Sequence, residues 1–109
     1  MLFRSAICLA AVIQNGDALK FVSEPSNEVC LVAVRQNGWV LEIIEEQTDE
    51  MCIEAVRQFS YALRYVREQT NHICMIAVKQ NGLALQYAKH QTEEMCFEAV
   101  QQKIGRAHV

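Results

Sequence analysis

Proline is almost missing from this chain: Pro25 is the single one in 109 residues, and only four glycines accompany it. So few breakers argue against a loop-rich fold. Long hydrophobic runs are missing too. The stretch Ala6 to Ile13 is about half of the ~20 residues that a membrane span requires, so no spanning helix is expected. Nor does charge of one sign dominate. Ten Lys and Arg stand against thirteen Asp and Glu, interspersed along the chain, for a net charge of −3. That balance creates no broad field for gathering polyanions.

The opening MLFR followed by AICLAAVI imitates a secretory signal, with Arg4 as its basic end. The same pattern returns at Val29 to Val34 and at Ile73 to Val78, far from either terminus, so it belongs to the fold. Without a signal, five cysteines with no evident pairing are expected to be reduced thiols of a cytoplasmic, reducing compartment. Half the residues are apolar and a fifth charged. This composition supports one globular domain with its own core.

Those cysteines carry the clearest signal in the sequence. Cys8, Cys30, Cys52, Cys74 and Cys96 are each separated by 22 residues. In the same register stand Ala11, Ala33, Ala55, Ala77 and Ala99, then Val12, Val34, Val56, Val78 and Val100. Gln14, Gln36, Gln58, Gln80 and Gln102 follow, and Leu19, Leu41, Leu63 and Leu85 complete the set. No insertion breaks the period, so the chain is an internal repeat. A second period of 44 lies over the first, because Thr48 to Gln58 matches Thr92 to Gln102 while Cys30 and Cys74 head units of another type.

Within a unit, Met51, Cys52, Ala55 and Val56 fall at helical spacing and not at strand alternation. Thr48 stands at an N-cap, with Asp49 and Glu50 in the first turn, and Thr92, Glu93 and Glu94 repeat that start. The recurring Asn-Gly (Asn15-Gly16, Asn37-Gly38, Asn81-Gly82) predicts a stop through a residue tolerant of positive φ. Beyond it, Ala18, Leu19 and Val22 outline a second short helix of about eight residues. Helices this short are marginal alone in water, so stacking is obligatory.

The expected fold is therefore all-α: an α-solenoid of 22-residue helix-turn-helix repeats, with four full units and one leading helix, alternating as 44-residue double units. One domain over 1–103 divides into units 6–27, 28–49, 50–71, 72–93 and 94–103. The third unit departs from the rule, with Phe59-Ser60 in place of Asn-Gly. Ser60 takes a strained φ, or the turn changes type, or the two helices partly merge, and a different bend is expected there. At the ends, Met1 to Ser5 offer a poor cap, and the register stops at Gln102 in mid-repeat. Ile104 to Val109 read as a non-native tail. IGRAHV can be encoded by ATC GGA AGA GCA CAC GTC, one of many synonymous back-translations, and that string resembles the start of a common sequencing adapter. A longer parent protein is expected, and so is end-to-end self-association through the truncated last helix.

The combination Cys, Ala-Val, Gln-Asn-Gly and Ala-Leu at fixed offsets, over Ser5 to Gln102, resembles the repeats grouped as domain of unknown function 4116. Such repeats occur in tandem in giant-virus and protist proteins. The resemblance implies an array of short helical repeats and no established activity. Phe59-Ser60 and Pro25-Ser26, the latter in place of Gln-Thr, are the departures.

Chemistry has few candidates. Neighbouring helices pack ~8–10 Å apart, beyond the ~7 Å between Cα atoms that a disulfide spans. No CxxC pair offers metal ligands, and His72 points away from Cys74. A residue repeated five times is a poor nucleophile, so the cysteines are expected to be apolar filler. No catalytic, cofactor or metal site is expected, and the chain reads as no enzyme. The Gln column either links layers by side-chain hydrogen bonds or faces solvent.

The remaining candidates form a binding surface. Trp39 and Tyr61 take equivalent places after the turn, and Arg35, Arg57 and Lys79 form a basic column joined by Arg64 and Arg67. The expected role is a non-catalytic scaffold binding a protein or peptide partner. The alternative is a nucleic-acid-binding repeat using the basic column.

Overall fold

The computed structural model describes the backbone of residues 2–108 and the side chains of residues 7–102. Met1 to Ser5 and Ile104 to Val109, the expected weak cap and non-native tail, lie outside the described side chains. Among the described residues, five α-helices alternate with four short 3-10 helices: α1 (Leu2–Gln14), η1 (Gly16–Phe21), α2 (Asn27–Gln36), η2 (Gly38–Ile43) and α3 (Asp49–Gln58). Next come η3 (Ser60–Tyr65), α4 (Asn71–Gln80), η4 (Gly82–Tyr87) and α5 (Glu93–His108). The chain is all-helical among the described residues, and equivalent elements begin 22 residues apart from α2 onward.

Among the described residues, each element touches only its own unit and the units adjacent to it. The α-helices stack in sequence from α1 to α5, the 3-10 helices stack likewise, and each 3-10 helix also lies against the following α-helix. That topology elongates the molecule, with extents of 54 × 27 × 16 Å and a radius of gyration of 16.0 Å. A compact chain of this length would have ~13 Å. The core is the stack of repeated columns: Ala33, Ala55 and Ala77 are fully buried, as are Val34, Val56 and Val78, with Leu41 and Leu63 behind them.

Local chemistry explains the helix starts. The hydroxyls of Ser26, Thr48, Thr70 and Thr92 accept from the N–H three residues on, at 3.2 Å each, which relieves an unpaired donor of the first turn.

The Asn-Gly turn works differently from the sequence expectation. No described glycine has positive φ. Asn37 is extended (φ −152°, ψ 104°) and its side chain accepts from the Trp39 N–H, so it opens the 3-10 helix after closing the α-helix. Asn15 and Asn81 do the same. An asparagine bonding two residues ahead imposes a tight turn, and i→i+3 bonds such as Val22 N–H to the Leu19 carbonyl follow. The second helix is thus a six-residue 3-10 helix rather than eight residues of α-helix. Glycine serves close approach instead, most tightly at Gly16. A Cβ on Gly16 would stand 2.8 Å from the Ala33 carbonyl oxygen, and one on Gly38 would be 3.2 Å from that of Ala55.

The third unit keeps the common turn. Phe59 (φ −138°, ψ 114°) repeats the Asn37 backbone without a side-chain cap, and η3 has the same six residues. Ser60 has no positive φ and is buried. The predicted change of bend is corrected: one Cβ fits where η3 meets α4, and the turn conformation rests on the stack more than on Asn-Gly.

Candidate functional site

Two glutamine columns join the layers. Gln58 reaches back to accept from the Gly38 N–H (2.9 Å) and donate to the Val34 carbonyl. Gln102 does the same for Gly82 and Val78, and Gln80 donates to the Arg57 carbonyl at 3.1 Å. Of the two readings left open for this column, these three side chains link layers. The second column, Gln47 and Gln69, escaped the sequence reading, which used the Gln-Thr pair only for its threonine cap. The Gln47 amide donates to the Leu41 and Tyr65 carbonyls (3.0 and 2.8 Å), while its oxygen accepts from the Arg67 N–H at 3.0 Å. Gln69 repeats this with Leu63, Tyr87 and Lys89. Recurrence of the glutamine in register was the signal available to find it.

The same carboxamides meet two of the cysteines. Cys52 Sγ donates to Gln47 Oε1 at 3.7 Å, and Cys74 Sγ to Gln69 Oε1 at 3.5 Å. A thiol is small enough for the column and supplies one weak donor that alanine or valine lacks. Cys30, Cys52 and Cys74 are buried and all five cysteines are free. Burial pushes the Cys30 and Cys74 thiols up, and pushes Cys52 up to about 11 with help from the Asp49 carboxylate.

Such thiols are protonated at neutral pH and are poor nucleophiles. A testable pH effect follows. A thiol raised by folding binds its proton more tightly in the native state, so stability is intact below pH ~9 and declines between ~9 and ~11. Urea midpoints should fall over that window in the parent protein and fall less in Cys52→Ala; equal slopes would exclude the thiol as the cause. Among the described residues, no three His, Cys, Asp or Glu side chains gather as metal ligands would, and no helix is long and apolar enough to cross a membrane.

The 3-10 side of the stack gathers several sequence candidates into one aromatic row. Trp39 in η2 lies 5.4 Å from the Phe59 ring, tilted by 31°, and meets Tyr65 edge-on at 5.3 Å. In η3, Tyr61 meets Tyr87 edge-on at 5.6 Å, and its hydroxyl accepts from Asn81 Nδ2. Arg64 joins the two pairs, with its guanidinium 5.3 Å from the Tyr65 centroid and 5.6 Å from that of Tyr87. Trp39, Tyr61 and Arg64 thus belong to one cluster. Phe59, Tyr65 and Tyr87 were not singled out from the sequence, although the tyrosines share a column thirteen residues after their cysteines.

The basic column is separate from that cluster. Arg35, Arg57 and Lys79 each occupy the last turn of an α-helix, favourable to its negative end. Arg35 also pairs with Glu50 at 3.8 Å, both exposed. Arg67 turns backward, donating to the Ile44, Glu45 and Glu42 carbonyls at the end of η2. Its charge is committed to the fold.

Residues 49–91 match the family model described as Domain of unknown function (DUF4116). The DUF4116 match covers α3 through η4, nearly one double unit, and meets the resemblance read from the repeat pattern. The comparisons with curated proteins and with solved structures gave no match.

Proposed function

We propose that the protein is a non-catalytic scaffold that binds an extended peptide segment of a partner protein along the aromatic row. The observation that carries this reading is partial exposure of rings held in fixed contacts: Trp39 is 38 % exposed and Phe59 39 %, with Leu83 63 % exposed on the same side. Rings that hold one another in place lose little freedom on binding, and Trp, Tyr and Arg are the side chains that dominate interfaces. Arg64, positioned by two tyrosines, suits a carboxylate beside an apolar anchor. The partner is therefore read as a peptide with aromatic or aliphatic residues next to Asp or Glu. A reducing, cytoplasmic setting is part of this reading and is supported by three buried free thiols.

The experiment is selection from a random peptide library, followed by titration of the selected peptides. Trp39→Ala and Arg64→Ala should each weaken binding at least tenfold when measured at a temperature where both variants remain folded by circular dichroism. An unchanged affinity would remove the row from the site. The nucleic-acid alternative predicts instead that single-stranded RNA binds, with affinity falling steeply as salt rises.

A further inference from the structure

The layer junctions share one plan, and the first described junction breaks it. At Gln47 and Gln69 a single carboxamide meets four groups: two carbonyls take its N–H donors, and its oxygen takes a backbone N–H and a thiol. Twenty-two residues before Gln47 stands Pro25. Its side chain has no donor or acceptor. The backbone groups in the corresponding places are the Leu19 and Ile43 carbonyls and the Glu45 N–H, and the thiol is that of Cys30.

Of these, Ile43, Glu45 and Cys30 line a cavity at the junction, and Leu19 does not. The cavity, of about 490 Å³, is lined by Glu24, Pro25, Cys30, Ile43, Glu45 and Glu46 among others. The corresponding cavity beside Gln47 and Cys52 is smaller, about 290 Å³. Three carboxylates at the rim set its electrostatics. Glu24 there has φ 50°, the one positive φ among the described non-glycine residues.

We propose that this cavity is a slot for a primary carboxamide supplied from outside, the side chain of a glutamine flanked by basic residues in a peptide. The arrangement asks for two N–H donors and one carbonyl acceptor on one planar group, as the equivalent junctions demonstrate with their own glutamines. A carboxylate of the same shape lacks both donors and meets Glu24, Glu45 and Glu46 with like charge, whereas flanking lysines are attracted by them. The slot uses none of Trp39, Tyr61 or Arg64, so its success or failure is independent of the aromatic row.

The test uses three proteins and two probes: the parent chain, Pro25→Gln and Pro25→Ala, titrated with acetyl-Lys-Gln-Lys-N-methylamide and with the same peptide carrying Glu in place of Gln. The glutamine peptide should shift the Glu45 amide resonance and slow alkylation of Cys30. The glutamate peptide should bind at least tenfold more weakly. Pro25→Gln, whose own amide fills the slot, should lose binding and unfold at a higher temperature, while Pro25→Ala keeps binding. Equal action of the two peptides, binding retained by Pro25→Gln, or binding lost in both variants would overturn the proposal.

Discussion

Replacing Gln69 by alanine is expected to cost about 3 kcal/mol of stability, from four polar groups that lose their partner at ~1–3 kcal/mol each when fully buried and less where water enters. The Leu63 and Tyr87 carbonyls, the Lys89 N–H and the Cys74 thiol all depend on that one amide. With a urea m-value of ~1–3 kcal/mol per M, the midpoint should fall by ~1–3 M. Gln69→Glu should be nearly as damaging, because a carboxylate cannot donate to carbonyls. Gln91→Ala is the internal comparison. Gln91 is exposed and donates to the Leu85 carbonyl at 3.1 Å, so its loss should cost under ~1 kcal/mol. Equal costs at the two positions would mean that the bridging role contributes nothing.

The second large effect is expected for Ala55→Leu. Ala55 is fully buried, and its backbone lies where α3 comes within 3.2 Å of the Cβ position of Gly38. Three added carbons have no space in that seam. They must separate α3 from η2, at a cost of about 3 kcal/mol, the upper end for overpacking. Because elements contact only adjacent units, hydrogen exchange should accelerate first in α2, η2 and α3 and least in α5. A uniform acceleration from end to end would contradict nearest-neighbour coupling. Tolerance of Ser60 at the α4 seam sets the scale, since one Cβ with its hydroxyl is accommodated there.

The repeated columns were legible because burial follows period. Cysteine, alanine and valine return at the same offsets, so their common face could be read before any neighbour was known. What the offsets could not show is which residue of the next layer each one meets. Glycine in Asn-Gly has two physical uses, positive φ and absence of a Cβ, and only the position of the Ala33 carbonyl opposite Gly16 distinguishes them. The 3-10 character of the second helix was hidden for another reason. Over six residues, periods of 3.0 and 3.6 place nearly the same side chains inward. Gln47 and Gln69 were read past because polar residues beside a cap look solvated, and their carbonyl partners lie eighteen residues away in the next unit. Trp39, Tyr61 and Arg64 were found individually, while their union through Tyr65 and Tyr87 needed two units to be side by side.

Contact restricted to adjacent units also has a mechanical consequence. Traction applied at the two ends of the stack loads the seams one after another along the 54 Å axis, with no element contact among the described residues reaching past the adjacent unit to share the strain. Such a chain yields stepwise, releasing about one unit of slack at each rupture.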